Sequence, residues 1–217
     1  MTHENSWKPS RIQGILIAME GIDGTGKSTQ LKLLGRYLRV RGCPVVETRE
    51  PTDGPYGRKI RELFLSRAGT PPEEELELFI EDRRQHVVEV IEPALAQGSI
   101  VLTDRYYLST AAYQGAAGID PAEIFSRNQF APEPDLVLLL TLPLELGLVR
   151  IRQLRGEVLN DFEQEDQLRQ VAELFDSFQH PFIRRIDADA PLEVVAGEIE
   201  AAVNRLLQEK KYQCEQT

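Results

Sequence analysis

Gly21-Ile22-Asp23-Gly24-Thr25-Gly26-Lys27-Ser28 fits the pattern G-x-x-x-x-G-K-[ST] and follows an apolar run, Ile12 to Met19, that reads as a buried strand. Glycines let the backbone curl so that its N–H groups converge on one concavity, where phosphate oxygens meet them without a Cβ in the way. Lys27 then reaches the β- and γ-phosphates and Ser28 offers its hydroxyl to Mg²⁺. A helix starting near Lys27 adds the positive end of its dipole. The candidate nucleotide-binding residues are therefore Gly21, Ile22, Asp23, Gly24, Thr25, Gly26, Lys27, Ser28 and the adjoining Thr29. The motif does not name the acceptor: an ATPase, a GTPase, a transporter subunit and a small-molecule kinase share it.

A chain of 217 residues, 41% apolar and 28% charged, has the composition of one globular domain able to bury a sizeable core. No stretch approaches the roughly 18 uncharged apolar residues of a membrane span. The first eleven residues are polar and read as a flexible tail, followed by one domain over residues 12–210 and a short tail at 211–217. Cys43 and Cys214 do not make a disulfide framework, and neither sits in a metal-ligand cluster, so a reducing cytoplasm is the default. A formal charge of −10 argues against a protein that holds long nucleic acid by neutralising phosphates, while a small anionic substrate needs only a local funnel of arginines.

Downstream of the first strand, Leu31, Leu34 and Leu38 give one apolar helical face over Lys27 to Val40. Four further strands are predicted at Pro44 to Thr48, Ser99 to Thr103, Asp135 to Leu140 and Phe182 to Ile186. Helices are predicted at Tyr56 to Ser66, Glu73 to Leu95, Leu108 to Gln114, Pro121 to Asn128, Pro143 to Leu154, Phe162 to Phe178 and Pro191 to Leu207. In the long Glu73 to Leu95 helix, Leu76, Phe79, Val87, Val90 and Ile91 form the expected buried side. Strands separated by helices mean an α/β fold: a five-stranded parallel sheet of the P-loop NTPase type, with helices on both faces and a short lid. Right-handed crossovers gather the strand-to-helix loops at one edge, where such sheets bind their ligands.

Arg49 and Arg105 each follow a strand directly and so point to that edge. Two phosphate-bearing reactants repel unless cations sit between them, and a guanidinium fork binds a terminal phosphate bidentately. Asp104, at the end of its strand, either coordinates Mg²⁺ or orients Arg105 or Lys27.

Glu20 to Thr29, then Thr48-Arg49-Glu50-Pro51, Leu78 to His86, and Asp104-Arg105-Tyr106 with Ser109 and Ala112-Tyr113-Gln114-Gly115 resemble, in order and spacing, the thymidylate kinases. The resemblance covers nearly the whole chain and implies ATP-dependent phosphorylation of deoxythymidine monophosphate, with Mg²⁺, by a homodimer. It implies that Arg49 and Arg105 hold the acceptor phosphate and that Asp23 receives the sugar 3′-hydroxyl. Phe79 then stacks on the pyrimidine, Arg83 bonds a base carbonyl, Tyr113 crowds the 2′ position, and Gln114, with Ser109 nearby, helps close the base pocket. Phe79 and Arg83, four apart on one helix, share a face, which suits a flat ring beside an edge donor. Read without the resemblance, Phe79 and Tyr113 are core rings, Arg83 a surface partner of Glu81, and His86 structural or solvent-facing. The long Glu73 to Leu95 helix is the candidate dimer contact.

Two departures from the family pattern stand out. Position 24 is glycine, so the loop brings no arginine, and the lid over about residues 150–165 must supply one from Arg150, Arg152 or Arg155. Arg155 beside Gly156 is the preferred donor, and Asn160-Asp161-Phe162-Glu163 stands where the family usually has Asp-Arg-x-Glu. Thr52-Asp53 replaces small glycines, and Asp53 is unfavourable near a phosphate unless it points outward or reaches a sugar hydroxyl or Mg²⁺. Another nucleoside monophosphate as acceptor, or a nucleotide-binding module without transfer, are the alternatives.

Overall fold

The computed structural model describes residues 14–66, 70–155 and 162–214, apart from the side chains of residues 65–66, 151–155 and 162–164. Five strands, β1 (Ile15–Glu20), β2 (Val45–Arg49), β3 (Ile100–Asp104), β4 (Leu136–Thr141) and β5 (Ile183–Asp187), form one sheet in the order β2-β3-β1-β4-β5. Every pairing is parallel. Around it lie α1 (Lys27–Val40), α2 (Pro55–Ser66), α3 (Pro72–His86), α4 (Glu92–Ala96), α5 (Tyr107–Ala116), α6 (Pro121–Arg127), α7 (Leu144–Arg155), α8 (Phe162–Ser177) and α9 (Leu192–Glu209). No helix among the described residues is long and apolar enough to cross a membrane.

Alternation along the strands sends side chains to two cores. Ile15, Ile17 and Met19 join Ile100, Leu102, Leu138 and Leu140 under α1 and α9, while Leu16 and Ala18 join Val101, Val137 and Leu139 under α3, α5 and α8. Burial on both faces explains why β1 and β4 read as continuous apolar runs.

Each strand reaches one residue beyond its predicted end. The added residues are Glu20, Arg49, Asp104, Thr141 and Asp187. Apolar patterning stops at the last hydrophobic side chain, whereas the hydrogen-bond ladder carries on to the polar residue that faces the ligand edge.

The predicted Glu73 to Leu95 helix is divided by a π-helical turn at Val87–Ile91. Pro93 supplies the cause: it lacks an N–H, and its ring crowds the carbonyl four residues back. The Glu92 N–H accordingly donates to the Val87 carbonyl, five residues back. Leu76, Val87 and Ile91 are buried as predicted, Phe79 and Val90 only partly, and the polar Asp82, Arg83 and His86 occupy the rest of the buried face.

The two cysteines correct a sequence expectation, because Cys43 and Cys214 are joined in a disulfide with a Cα–Cα distance of 4.4 Å. Their 171-residue separation hides the proximity that packing of α9 against α1 creates. The described part of the C-terminal tail is pinned as well: the Tyr212 hydroxyl donates to the Gly98 carbonyl at 2.5 Å, and Lys210 pairs with Asp135 at 2.5 Å. Replacing Cys214 with serine removes a cross-link worth about 2–4 kcal/mol. The expected result, read by calorimetry without reductant, is a Tm lower by roughly 5–15 °C and no further fall when dithiothreitol is added.

Candidate active site

The loop between β1 and α1 is held open by glycines at positive φ: 133° at Gly21 and 87° at Gly26. A Cβ on Gly21 would press against the Leu140 carbonyl. Gly26 occupies the N-cap of α1 without a capping side chain, so the first N–H groups of that helix remain for a ligand. Thr25 Oγ1 donates to the Ile22 carbonyl at 2.9 Å and closes the loop from within. The buried Lys27 Nζ donates to the same carbonyl at 2.8 Å and lies 3.9 Å from Asp23. Burial pulls the Lys27 ammonium down to about 7, the Arg105 cation adds to this, and Asp23, Asp104 and Glu20 act in the opposite sense. Phosphate charge facing Lys27 would act in that same opposing sense and favour the ammonium. Ser28 Oγ donates to Asp104 Oδ2, joining the two residues that the sequence marks for Mg²⁺.

Strand register brings the acceptor side to this loop. Asp104 lies opposite Met19 on β1 and opposite Arg49 on β2. Arg49, Asp104 and Arg105 share with Asp23, Lys27 and Ser28 a cavity of about 290 Å³. A larger groove of about 520 Å³ adjoins it through Ser28, Arg49 and Asp104.

Each arginine is held by its own set of partners. Arg105 is a non-glycine residue at φ 74° and donates to Asp23, to Ser109 Oγ at 2.9 Å and to the Tyr113 hydroxyl at 3.4 Å. Its guanidinium lies 5.0 Å over the Tyr113 ring. Arg49 Nη2 bonds Asp53 at 2.7 Å, Arg61 reaches the same carboxylate at 3.2 Å, and Arg58 donates to the Asp53 carbonyl at 2.6 Å. The hydrogen bond from Arg49 holds the Asp53 carboxyl below its usual range. Asp53 is thus accommodated by arginines. Thr52 is fixed by Asp82 through its N–H at 2.8 Å and its hydroxyl at 2.6 Å.

On the base side, Arg83 is not a surface partner of Glu81; Arg84 makes that contact at 3.3 Å. Arg83 is 1% exposed and donates to Glu50 at 2.5 and 3.0 Å, Asn128 at 2.6 Å and Thr110 at 2.9 Å. His86 is structural and not solvent-facing: it sits between Thr48 Oγ1 at 2.7 Å and Glu50 at 3.0 Å. Phe79 is partly buried, 6.3 Å from the Phe64 ring. Gln114 is buried and bonded to Glu75, yet its Oε1 has no hydrogen-bond partner among the described residues.

Arg150 Nη1 donates to the Ala188 carbonyl at 2.9 Å, with Asp189 3.8 Å away, so it serves the turn after β5. The side chains of Arg152 and Arg155, and residues Gly156, Asn160 and Asp161, lie outside the described residues, as do the side chains of Phe162 and Glu163. Sequence reasoning gave no role to Glu20, Glu50 or Asp82. Glu20 carried one signal, a carboxylate ending an apolar strand; Glu50 finds its partners on α3 and Asp82 finds its own in the loop after β2, far away in sequence.

The parallel sheet, the glycine-rich cradle and the facing arginines define a P-loop phosphotransferase. The family model for thymidylate kinase matches residues 19–199. The thymidylate kinase of Desulfotalea psychrophila is 53% identical over 198 residues, covering 91% of this chain and 98% of its own. That of Xanthomonas euvesicatoria pv. vesicatoria is 45% identical over 190 residues, covering 88% and 83%. The chain belongs to the thymidylate kinase family and is an enzyme. Use of ATP and Mg²⁺ is typical of that family.

Burial pushes the Glu50 carboxyl up, but Arg83 and His86 more than offset this and hold it below the usual carboxylate range. A folded-state value below the unfolded one means that the stabilisation is complete above the ordinary glutamate range and disappears as pH falls through the depressed value. Glu50→Gln leaves Arg83 buried without its counter-charge and is expected to cost about 3–5 kcal/mol. Urea unfolding at neutral and acidic pH checks both points: the variant should be less stable at pH 7 and lose less on acidification than the parent.

Proposed function

We propose that this chain transfers the γ-phosphoryl group of ATP to the phosphate of dTMP, giving dTDP and ADP. The observation that carries the reading is the single cavity in which Arg49 and Arg105 face Lys27 and Ser28. An oxygen of the acceptor phosphate attacks the γ-phosphorus, and the bond to the oxygen bridging the β- and γ-phosphates breaks, leaving with ADP. Arg49 and Arg105 hold the acceptor phosphate, while Lys27 and the N–H groups at residues 21–29 hold the donor and neutralise the charge that develops. Arg155 from the lid would complete the clamp and exclude water.

Mg²⁺ suits this donor set. Ser28 and Asp104 offer oxygen ligands, and no cluster of three or more His, Cys, Asp or Glu is present among the described residues to form an all-protein cage. A cation shared between substrate phosphates and one or two side chains matches Mg²⁺ preference. Bound there, it would offset the negative charge of the transferring phosphates.

Thymine presents an N3–H between two carbonyls. Gln114 Oε1 is a buried acceptor in need of a donor, and Arg83 Nη1 carries one more N–H than its bond to Asn128 uses. Phe79 stacks on the ring, Asp23 receives the 3′-hydroxyl, and Tyr113 crowds the 2′ position. Cytosine has a lone pair at N3 and would turn it against Gln114 Oε1. The chain also acts as a homodimer in this reading: Val88 in the π-helical turn and Phe64 on α2 are large apolar side chains left exposed.

ADP release measured across dTMP, dUMP, dCMP, dGMP and UMP tests the base pocket. The expected order places dTMP first and dUMP next, with dCMP and dGMP at least about 10²-fold lower in kcat/KM; a dTMP value no better than that of dGMP removes the base assignment. Lys27→Met should lower kcat by about 10²–10³-fold with the fold retained, and Arg49→Ala should raise the KM for dTMP more than that for ATP. Light scattering on the purified chain reports the dimer directly.

A further inference from the structure

Glu20 ends β1 immediately before the phosphate loop, and the alternation of that strand turns it toward α5. It is 0% exposed. Its Oε1 accepts the backbone N–H groups of Tyr106 at 2.9 Å and Ser109 at 3.1 Å, and its Oε2 accepts the Ser109 hydroxyl. Tyr106 is the N-cap residue of α5 and provides no side-chain cap. Glu20 therefore does from another strand what a capping serine or aspartate does locally.

The residue before that cap is Arg105, whose φ of 74° is costly for a side chain bearing a Cβ and persists only where its surroundings over-determine it. Three bonds do so. The Arg105 N–H donates to the Met19 carbonyl at 2.9 Å, its carbonyl accepts Thr103 Oγ1 at 2.8 Å, and the following N–H, that of Tyr106, is held by Glu20. The far end of the same side chain returns to the same carboxylate: Arg105 Nη1 donates to Ser109 Oγ at 2.9 Å, and that hydroxyl donates to Glu20.

We infer that Glu20 is a positioning residue for the acceptor site, fixing Arg105 at both backbone and guanidinium while its own backbone leads directly into the donor loop. The inference rests on reading Arg105 as a clamp for the acceptor phosphate. A buried carboxylate is costly unless its bonds are used: burial pushes Glu20 up to about 7 against the Ser109 hydroxyl, the Arg105 charge and the Ser109 and Tyr106 N–H groups. Glu20 touches no reacting atom in this scheme and acts on the acceptor phosphate through Arg105.

The test compares Glu20→Gln, Arg105→Ala and the double variant, each checked for folding by circular dichroism. Glutamine keeps one acceptor oxygen but turns an N–H₂ toward Ser109, so the Ser109 hydroxyl loses its acceptor and Arg105 loses the charge of Glu20. The expected result is a rise of about 10- to 100-fold in the KM for dTMP, a KM for ATP within about twofold of the parent, and little added effect of Glu20→Gln once Arg105 is alanine. If Arg105→Ala leaves the KM for dTMP unchanged, the clamp reading fails and the inference fails with it. If Arg105→Ala raises it and Glu20→Gln does not, or if Glu20→Gln weakens both substrates equally, the clamp reading stands and Glu20 loses its role. Should Glu20→Gln not fold, Glu20→Asp, whose shorter side chain draws back from Tyr106 and Ser109, is measured by the same criteria.

Discussion

Asp104 stands level with Met19 on one side and Arg49 on the other, and the site is built on that register. Bringing two polyanions together requires cations whose positions do not relax when charge moves. Loop tips cannot offer such rigidity, but the last residue of a strand can, because its backbone is still held by the ladder. All five strands end in a polar residue, and three of those ends, Glu20, Arg49 and Asp104, stand beside the phosphate cradle. The sheet is thus an apolar slab with a polar rim, and that rim borders the phosphate cradle.

The segment leaving β2 has no such ladder and is immobilised by charge instead. Glu50, Arg83 and His86 form a buried ionic group whose remaining donors reach Thr48, Thr110 and Asn128, so the exit of β2 is tied to α3, α5 and the end of α6. Removing any one member strands the others in a medium of low dielectric, which makes the group cooperative. A step further along, Thr52 is caught by Asp82 and Asp53 by Arg49 and Arg61. With Arg58 alongside, the loop tip keeps an excess of positive charge despite its aspartate.

Much of this was legible in the sequence because the signals were local. The cradle is a contiguous motif, α1 follows from leucine spacing, and the strands follow from apolar runs between turn residues. Strand ends fell one residue short because hydrophobic patterning cannot see a polar residue in the ladder. The π-helical turn depended on how the helix would answer Pro93. Asp53 looked unfavourable because Arg58 and Arg61 become its partners only when α2 turns back over the loop. The disulfide was illegible for the same reason on a larger scale: its cysteines meet only after nearly the whole chain has folded. Gln114 could be placed near the base by resemblance, but its open acceptor required coordinates.

The Cys43–Cys214 bond also makes the chain a covalent ring with an arm. Residues 43–214 are closed on themselves and include Arg49, Phe79, Arg83, Asp104, Arg105 and Tyr113, whereas the phosphate loop and α1 lie on the arm outside. Within the sheet that arm is held by its neighbours, since β1 lies between β3 and β4 and is bonded to both. The cross-link therefore closes the strand ends that carry Arg49, Asp104 and Arg105 into one loop and leaves the phosphate loop outside it. If the chain opens locally, withdrawal of β1, the phosphate loop and α1 is the motion that the cross-link leaves unrestrained, while residues 43–214 stay joined end to end.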